Sequence, residues 1–557
     1  MSHSAMAFVD LIEKDRMGLF QILQAVLLAI PLTMVGSQNF MQIFSAATPE
    51  HHCRPATNIS SGTSGSTPIN LTKELLRVFI PTAKHQKFES CLRFTSPQWH
   101  LLGTNTTWST GDLGIDTEAC HNGWEYDQSV FSSTIVTQWD LVCNRKSWKE
   151  FAQSIYMAGV LVGAFGFGAL ADRFGRRTIL LWCFLQIGAL GVAAAFSPNF
   201  STYCVFRFLS GMGVAGFIIN DISLSVEWTP TKFRALVLSS ASWCASLSQI
   251  VLAGLAYGIR DWHWLQIAIS LPYLLFFLWT WWLPESARWH MMNNKPELAL
   301  RDLLRVARIN GKVLGDHINL ETLKAEIQKG TSGGSARPTP LDLFRTPAMC
   351  RITCCLTLVW ISSSFAFFAL AMDVHKFGIN IYLVQVIFGV VEIPARVLGY
   401  LSTTYMGRRF TQAFCLLAAG VLVLSSLAVP EDMPTLVMLL TALGKGILGA
   451  SIGCAYLYTL ELFPTVLRQT GVGFTNMMMR LGAVVAPLVL LVKYYIIFLP
   501  TIIFGVVPIF FGLSVLFLPE TLNVCLPDSI IQVENRATSN LILNKDGNEV
   551  ILKKTQF

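Results

Sequence analysis

Apolar residues collect in twelve long runs along the chain, separated by polar connections of which two are long. An α-helix needs about 20 mostly apolar residues to cross a bilayer, and these runs have that length. They cover residues 19–44, 151–171, 178–197, 201–222, 235–258, 263–283, 348–372, 380–404, 410–429, 435–459, 471–493 and 500–518. The pattern predicts an all-α membrane protein with twelve transmembrane helices.

Composition and charge agree with this prediction. The 557 residues are 53% hydrophobic and only 13% charged, which is far more apolar than an average soluble protein and excludes a soluble enzyme. The net charge of +7 lies in short clusters between the apolar runs, so it favours membrane orientation over nucleic-acid binding. The first run is too long for a signal peptide, and we expect it to remain as the first helix.

The basic residues of the short loops predict the orientation, because cytoplasmic loops carry an excess of Lys and Arg. An even number of spans places both termini on one side. That side also carries most of the short-loop cations, namely Arg173, Arg176, Arg177, Lys232, Arg234, Arg408, Arg409 and Arg468, whereas the other side has Arg260 and Lys376. Both termini are therefore predicted to be cytoplasmic.

The first long connection combines glycosylation sequons with cysteines. Sequons begin at Asn58, Asn70 and Asn105, and the cysteines are Cys53, Cys91, Cys120 and Cys143. Together they indicate a glycosylated, disulfide-containing extracellular loop, although the sequence leaves the pairing of the cysteines open. The second long connection predicts short cytoplasmic helices, over residues 298–309 and 320–328, in a linker between two six-helix halves.

Seven segments follow from this reading. They are a cytoplasmic N-terminus (1–18), the first transmembrane helix (19–44), the extracellular loop (45–149), the rest of the N-terminal bundle (151–283), the linker (284–346), the C-terminal bundle (348–518) and a cytoplasmic tail (519–557).

Three motifs of the N-terminal half recur in the C-terminal half at nearly constant offsets. Residues 172–177 (DRFGRR) match 406–409 (MGRR), residues 227–234 (EWTPTKFR) match 461–468 (ELFPTVLR), and residues 284–286 (PES) match 519–521 (PET). Parallel repeats of this kind are typical of major facilitator transporters, in which two pseudo-symmetric bundles rock about a site at the midplane.

The repeated motifs also predict charged contacts at the cytoplasmic helix ends. Arg can form forked hydrogen bonds to carboxylates and to helix carbonyls of the opposite bundle, and such contacts can latch one conformation closed. The alternative is charge that only sets orientation, but the recurring acids would add nothing to it. The candidate gating residues are Asp172, Arg173, Arg176, Arg177, Glu227, Arg234, Arg408, Arg409, Glu461 and Arg468.

Arginines inside the predicted spans point to an anionic substrate. A lone cation in a bilayer costs about 2.5–3.5 kcal/mol, and Arg480 has no acid within one helical turn. We expect a substrate to supply the counter-charge, with an ion pair across helices as the alternative. Arg396 has Glu392 four residues before it, so a structural pair and a substrate contact stay equally open. Lys445 can snorkel and is left out of the site.

Aromatic residues of the seventh predicted helix offer the other half of a pocket. Trp360, Ser364, Phe367 and Phe368 share one helical face, and Phe365 lies nearby. Rings there can stack on an organic anion whose carboxylate, sulfate or urate oxygen meets Arg480. Contact with neighbouring helices is the alternative for such a stripe.

The chain shows no catalytic or ATP-binding motif. Its histidines lack metal-ligand spacing, and no Walker sequence is present, so we expect a gradient-driven protein without enzymatic activity, cofactor or metal. The last residues, Lys553–Phe557 (KKTQF), fit a ligand of a PDZ-domain scaffold.

Several motifs together resemble one family. They are residues 91–99 (CLRFTSPQW), 133–143 (STIVTQWDLVC), 172–177 (DRFGRR), 284–289 (PESARW), 308–311 (RING) and 461–471 (ELFPTVLRQTG). They resemble the organic anion transporter branch of solute carrier family 22, near the urate and organic anion exchangers, over residues 6 to about 530. The resemblance implies a plasma-membrane carrier that exchanges organic anions for a counter-anion such as a dicarboxylate or monocarboxylate.

The resemblance also implies site residues. In a context like residues 479–482 (MRLG), anion carriers have Arg and cation carriers have an acid at the position of Arg480. Arg396 stands where anion carriers usually have Lys. The change keeps the positive charge but replaces a compact ammonium group with a planar, forked guanidinium group. Further positions that match cavity residues of the family are Phe367, Phe368, Asn39, Trp243, Gln249 and Tyr456.

Three other functions stay open at this point. An organic cation transporter of the same family is disfavoured by Arg480 and Arg396, and a urate-selective exchanger differs only in substrate. A receptor or adhesion protein that uses the extracellular loop explains neither the buried charges nor the repeat, and it predicts no saturable flux.

Overall fold

The computed structural model describes residues 16–54, 73–81, 88–99, 116–230, 233–311, 340–374, 378–430, 432–464, 467–522, 524, 527 and 530–535. The predicted twelve-helix fold is confirmed within these residues. In chain order, helices α1 to α12 are Leu19–Phe40, Trp148–Phe174, Arg176–Ala195, Phe200–Trp228, Arg234–Gly258, Trp262–Thr280, Pro347–Met372, Ile381–Tyr405, Arg408–Ser425, Pro434–Leu462, Arg468–Leu490 and Leu499–Gly512. Several begin or end beyond the predicted apolar runs, because polar residues continue a helix past the hydrocarbon region.

Eleven of the helices in the described part are long and apolar enough to cross a membrane. The remaining long helix, α5, carries several serines, among them Ser240, Ser246 and Ser248. Among the eleven spans, α7 has the largest buried share, 78%. It therefore occupies the inside of the C-terminal bundle, where α10, α11 and α12 cover it.

Shorter elements lie between and beside the long helices. The short α-helices are Gln42–Ser45, Lys73–Phe79, Ile135–Trp139, Ala287–Met292 and Pro296–Ile309, and the 3₁₀ helices are Cys143–Arg145, Pro340–Phe344, Leu491–Tyr494 and Leu513–Phe517. Helix Pro296–Ile309 falls in the predicted linker, whereas residues 320–328 lie outside the described residues.

The first long connection forms a compact unit of its own, Gln42–Lys149 with Ala256–Leu265. Its strands are β1 (His51–Cys53), β2 (Leu92–Phe94), β3 (Thr117–Ala119) and β4 (Trp124–Tyr126). Antiparallel pairs join β1 to β4 and β2 to β3. The structure resolves the cysteine pairing as Cys53–Cys120 and Cys91–Cys143. The three sequons lie outside the described residues.

A glutamate–backbone contact that recurs in both halves explains two of the repeated motifs. Glu285 accepts hydrogen bonds from the backbone N–H groups of Arg176 and Arg177 at the start of α3, at 2.9 and 3.1 Å. Glu520 does the same for Arg408 and Arg409 at the start of α9, at 2.9 and 3.0 Å. In each half, a carboxylate that follows the sixth helix thus accepts hydrogen bonds from the first two N–H groups of the third helix. Its negative charge also lies at the positive end of the dipole of that helix.

Glycine is required in front of both of these helices. Gly175 and Gly407 have φ angles of +99° and +97°, which side chains other than glycine rarely adopt. A Cβ atom at either position would also collide with the capping carboxylate, Glu285 or Glu520. The Gly-Arg-Arg and Pro-Glu motifs therefore form one structural unit, repeated in the two bundles.

Candidate functional site

Arg480 is a buried cation that the two bundles share. It lies on α11 and is only 8% exposed. Among the residues that the structure describes, no acceptor lies within hydrogen-bond or ion-pair distance of its guanidinium. Its electrostatic neighbours are the hydroxyl groups of Tyr456 on α10 and Tyr156 on α2. The cation therefore lies between tyrosines of the C-terminal and the N-terminal half.

The C-terminal tyrosine is held in place by its neighbours. The Tyr456 hydroxyl donates a hydrogen bond of 2.6 Å to Asn476, which leaves the lone pairs of its oxygen available to a cation. The Trp360 ring meets the Tyr456 ring edge-to-face at 4.5 Å, and the Trp360 indole donates to Thr459 at 3.0 Å. Contacts with Asn476 and Trp360 thus hold Tyr456 in place, and Thr459 in turn holds Trp360. Together they form one wall of the Arg480 site.

The N-terminal tyrosine is held in the same way. The Tyr156 hydroxyl donates to the Asn39 side-chain oxygen on α1 at 2.9 Å. On the other side of the ring lies the guanidinium of Arg207, 4.1 Å from the ring centroid. Arg207 is fully buried and also donates to Gln38. Asn39, a predicted site residue, therefore orients Tyr156, and Arg207 adds a second cation to this wall.

Phe367 and Phe368 form an aromatic cluster with Phe40 of α1. Their ring centroids lie 6.4 and 5.7 Å from that of Phe40. All three rings are buried, with exposures of 4 to 6%. The cluster again joins the two halves, because Phe40 belongs to the N-terminal bundle.

The predicted stripe on α7 separates into parts that face different ways. Phe365 meets Phe504 of α12 at 5.5 Å and so packs within the C-terminal bundle. The Ser364 hydroxyl bonds back to the Ile361 carbonyl at 3.1 Å, and it lies against Gly482 of α11. Trp360 contacts the candidate residue Tyr456, whereas Phe367 and Phe368 contact Phe40 of α1.

Glu392 on α8 is the centre of a second polar cluster. It is fully buried and accepts bonds from Arg396 at 2.6 Å and from Lys445 at 2.7 Å. Ser246 and Gln249 of α5 donate to the same carboxylate at 2.9 and 2.8 Å. Two cations and one anion give this cluster, which we call the Glu392 cluster, a net charge of +1.

The Glu392 cluster contains both Arg396 and Lys445, for which the sequence suggested different roles. Arg396 forms the i,i+4 pair that the sequence allowed, so a carboxylate of the protein already balances it. The snorkelling prediction for Lys445 is wrong, because this side chain is fully buried and bound to Glu392. Its ammonium group also lies 4.6 Å from the Phe367 ring centroid, which connects the cluster with the aromatic residues.

Comparisons with known proteins agree on the family. The profile of the Major Facilitator Superfamily matches residues 144–487. Solute carrier family 22 member 6-B of Xenopus laevis is 46% identical over 555 residues, covering 99% of each chain. The chain belongs to solute carrier family 22.

Other relatives and solved structures support the same placement. Organic anion transporter 3 of Homo sapiens is 43% identical over 532 residues, which cover 95% of this chain and 94% of the relative. The inward-open structure of the xylose transporter XylE from E. coli has a TM-score of 0.55 and 17% identity, over 70% of this chain and 89% of that one. At this identity the likeness shows the fold alone, two bundles of the major facilitator type.

In this family 22 chain, the charged motifs make contacts inside each half. Arg176 binds Asp172 at 2.9 Å and Glu227 at 3.7 Å, and Arg408 binds Glu461 at 2.9 Å. Three further arginines donate to backbone carbonyls, namely Arg177 to Trp281, Arg234 to Thr229 and Arg409 to Leu516. Arg173 lies over the Phe174 ring, and Arg468 begins α11. These bonds differ from the expected contacts to the opposite bundle.

The halves instead meet at the other end of the helices. Near the start of α2, Glu150 accepts a hydrogen bond of 3.0 Å from Tyr494, which follows α11. One turn further along, the Ser154 hydroxyl donates to the Val484 carbonyl at 3.3 Å. These two bonds join the halves at this end, whereas the ion pairs of Arg176 and Arg408 stay within their own halves.

One predicted residue stays apart from the others, and three relevant ones were not predicted. Trp243 on α5 is 43% exposed and makes no ring contact or hydrogen bond within the described part of the chain. Tyr156 and Arg207, which belong to the site, and Asp221, a further buried charge on α4, were missed. The signal for Arg207 and Asp221 was present, since both are charged residues inside the predicted span 201–222.

Proposed function

We propose that this protein transports organic anions across the plasma membrane by alternating access, with Arg480 as the group that balances the substrate's charge. One observation carries the proposal: Arg480 is buried between the two halves, and the described residues supply it with no anion. Relatives named organic anion transporters support the substrate class.

The chemistry of the site fits such a substrate. A carboxylate or sulfate can accept two parallel hydrogen bonds from the Arg480 guanidinium, while the hydroxyl oxygens of Tyr156 and Tyr456 steady the cation. Phe367 and Phe368 can stack on the organic part of the substrate. Arg396 positions Glu392 in this account and does not meet the anion directly, since its guanidinium is already occupied.

Exchange is the transport mode that this charge arrangement favours. An outgoing dicarboxylate or monocarboxylate would neutralise Arg480 on the return step, because closing the site around an unbalanced charge is costly.

Urate is one candidate substrate. The protein is expected to have both termini in the cytoplasm, glycans at Asn58, Asn70 and Asn105, and a tail that binds a PDZ-domain scaffold.

Transport of organic cations is the competing function. A cation site needs an unbalanced acid next to the substrate. Glu392 is already bonded to Lys445 and Arg396, so the cluster has surplus positive charge. The balance of charge around Arg480 and Glu392 therefore favours anions.

Uptake by purified protein in proteoliposomes tests the proposal. The panel consists of an aromatic carboxylate, an aliphatic dicarboxylate, a sulfate conjugate, urate and an organic cation, each offered to vesicles preloaded with dicarboxylate. We expect saturable uptake of anions and none of the cation. Loss of a charge-assisted bond, about 1.5–3 kcal/mol, predicts that Arg480→Ala weakens apparent affinity at least about tenfold.

Arg351→Ala serves as the matched control, because Arg351 is an exposed arginine at the start of α7. It should transport like the wild type. Uptake of the cation but no anion, or unchanged anion uptake by Arg480→Ala at equal protein content, would contradict the proposed function.

A further inference from the structure

Asp221 is a buried acid that the anion site does not use. It lies on α4 in the N-terminal bundle and is 3% exposed. It lines a small cleft whose walls belong to α1, α4 and α5. The lining residues are Ala25, Leu28, Ala29, Leu32, Asp221, Ile222, Ser225, Val237, Ser240 and Ala241. The room for water in the cleft is about 20 Å³, enough for a water molecule.

The carboxyl group has no partner among the described residues. Its Oδ1 atom is enclosed and accepts no hydrogen bond, and no cation of the described part of the chain lies within ion-pair distance. The titratable groups that face it are Cys244 of α5 and Tyr273 of α6. The lining residues of α1 are apolar, and α4 adds only Ile222 and Ser225.

A comparison with Glu392 shows what is unusual here. Glu392 is equally buried, but two cations, a hydroxyl and an amide stabilise its ionised form. Asp221 has none of these, and an ionised carboxylate in an apolar surrounding is strongly disfavoured. Burial without a counter-charge therefore makes an ionised Asp221 costly, and the space beside it has room for a water molecule.

Tyrosines connect this acid with the anion site. Tyr273 interacts electrostatically with Asp221 and with Tyr156, and Tyr156 interacts in turn with Arg480. Tyr273 and Tyr156 therefore form a chain of electrostatic neighbours from Asp221 to Arg480.

We propose that Asp221 is a proton-binding site and that its proton moves together with the transported anion. The inference rests on the proposed function. The step is the addition of H⁺ from water to the Asp221 carboxylate on one side of the membrane and its return to water on the other. A carrier with both anion and proton has the same net charge as one with neither, so the pair crosses without net charge movement.

The test uses full-length protein in proteoliposomes that contain a pH-sensitive dye, with an organic anion that the wild type exchanges. At equal pH on both sides, exchange against internal anion reports the proposed function. With acid outside and no internal anion, the wild type should accumulate the anion, about tenfold for a pH difference of one unit, and anion entry should acidify the interior.

Asp221→Asn keeps the shape of a protonated carboxyl group but cannot bind or release the proton. It should lose the accumulation driven by the pH difference, whereas Asp432→Asn, which alters an exposed acid in a loop, should keep it. Equal pH-driven accumulation by Asp221→Asn and wild type would overturn the inference.

The wild-type dye signal decides the matter if Asp221→Asn does not fold. Exchange at equal pH without any anion-dependent acidification would overturn the proton site alone and leave the anion transport proposal intact. Absence of exchange in the same wild-type vesicles would instead count against the proposed function.

Discussion

Arg480 and Arg396 carry the same charge inside predicted spans, but they have different surroundings. Arg396 has a carboxylate four residues away on its own helix and binds it, whereas Arg480 faces two tyrosines. The sequence could show that Arg396 had a local partner, since i,i+4 spacing is readable. It could not show Lys445 on the same carboxylate, because that contact joins α10 to α8 across the fold.

Removal of Glu392 should destabilise the protein more than removal of Lys445. Glu392→Gln leaves two buried cations without an anion, and breaking a buried pair in this way costs about 3–5 kcal/mol. Lys445→Met leaves the balanced pair of Glu392 and Arg396. We expect Glu392→Gln to lower the melting temperature of the detergent-solubilised protein and its surface expression.

The double variant Glu392→Gln/Lys445→Met provides the check. It returns the Glu392 cluster to one net positive charge, so its melting temperature should recover part of the loss. No recovery, or a larger loss from Lys445→Met alone, would show that charge balance does not determine the stability of this cluster.

The aromatic cluster should distinguish substrates by their rings. Stacking on an aromatic side chain contributes about 0.5–1.5 kcal/mol, so Phe367→Ala and Phe368→Ala should weaken apparent affinity for an aromatic carboxylate by about 2- to 12-fold. Affinity for an aliphatic dicarboxylate should change less. Phe365→Ala is the control, because Phe365 packs on Phe504. If both substrate classes lose affinity equally, the cluster serves only to hold α1 and α7 together.

At the level of elements, the repeated motifs were readable from the sequence but their partners were not. The offsets between Pro284-Glu-Ser and Pro519-Glu-Thr predicted two equivalent halves. That each glutamate caps the third helix of its own half depends on where the chain returns after the sixth helix, which local pattern does not specify. The predicted latch between opposite bundles therefore differed from the contacts observed for Arg176 and Arg408.

Glu520 should stabilise the protein in a pH-dependent way. Burial tends to raise its pKa, but hydrogen bonds from the backbone N–H groups of Arg408, Thr521, Leu522 and Arg409 outweigh this and lower it below the ordinary value of 4.5. A lowered native pKa means that the stabilisation is present above the unfolded-state pKa. It disappears as the pH falls through the native value.

Glu520→Gln should therefore lower the melting temperature at neutral pH, by the equivalent of about 0.5–2 kcal/mol for a lost helix cap. The difference from wild type should shrink as the pH falls below the ordinary carboxyl range. Asp432→Asn, in an exposed loop, should show little effect at either pH. A difference for Glu520→Gln that stays the same in acid would exclude an ionised cap.

For the whole molecule, composition and repeats predicted the fold, whereas the conformation came only from the structure. Contacts of Glu150 with Tyr494 and of Ser154 with Val484 close one end of the two halves. These residues are far apart in sequence and have no motif that marks them. Tyr456 lies in the same half as Arg480, but Tyr156 reaches Arg480 from the opposite bundle, so the N-terminal wall of the candidate site depends on the meeting of the halves.

The central claim is that a transported anion supplies the charge that Arg480 lacks in each half of the cycle. The most direct measurement is the initial rate of labelled anion uptake into proteoliposomes at equal pH, with and without an internal anion, for the wild type and Arg480→Ala. We expect internal anion to accelerate wild-type uptake and to have a much weaker effect on Arg480→Ala. Uptake that ignores every internal anion and follows membrane voltage alone would contradict the account.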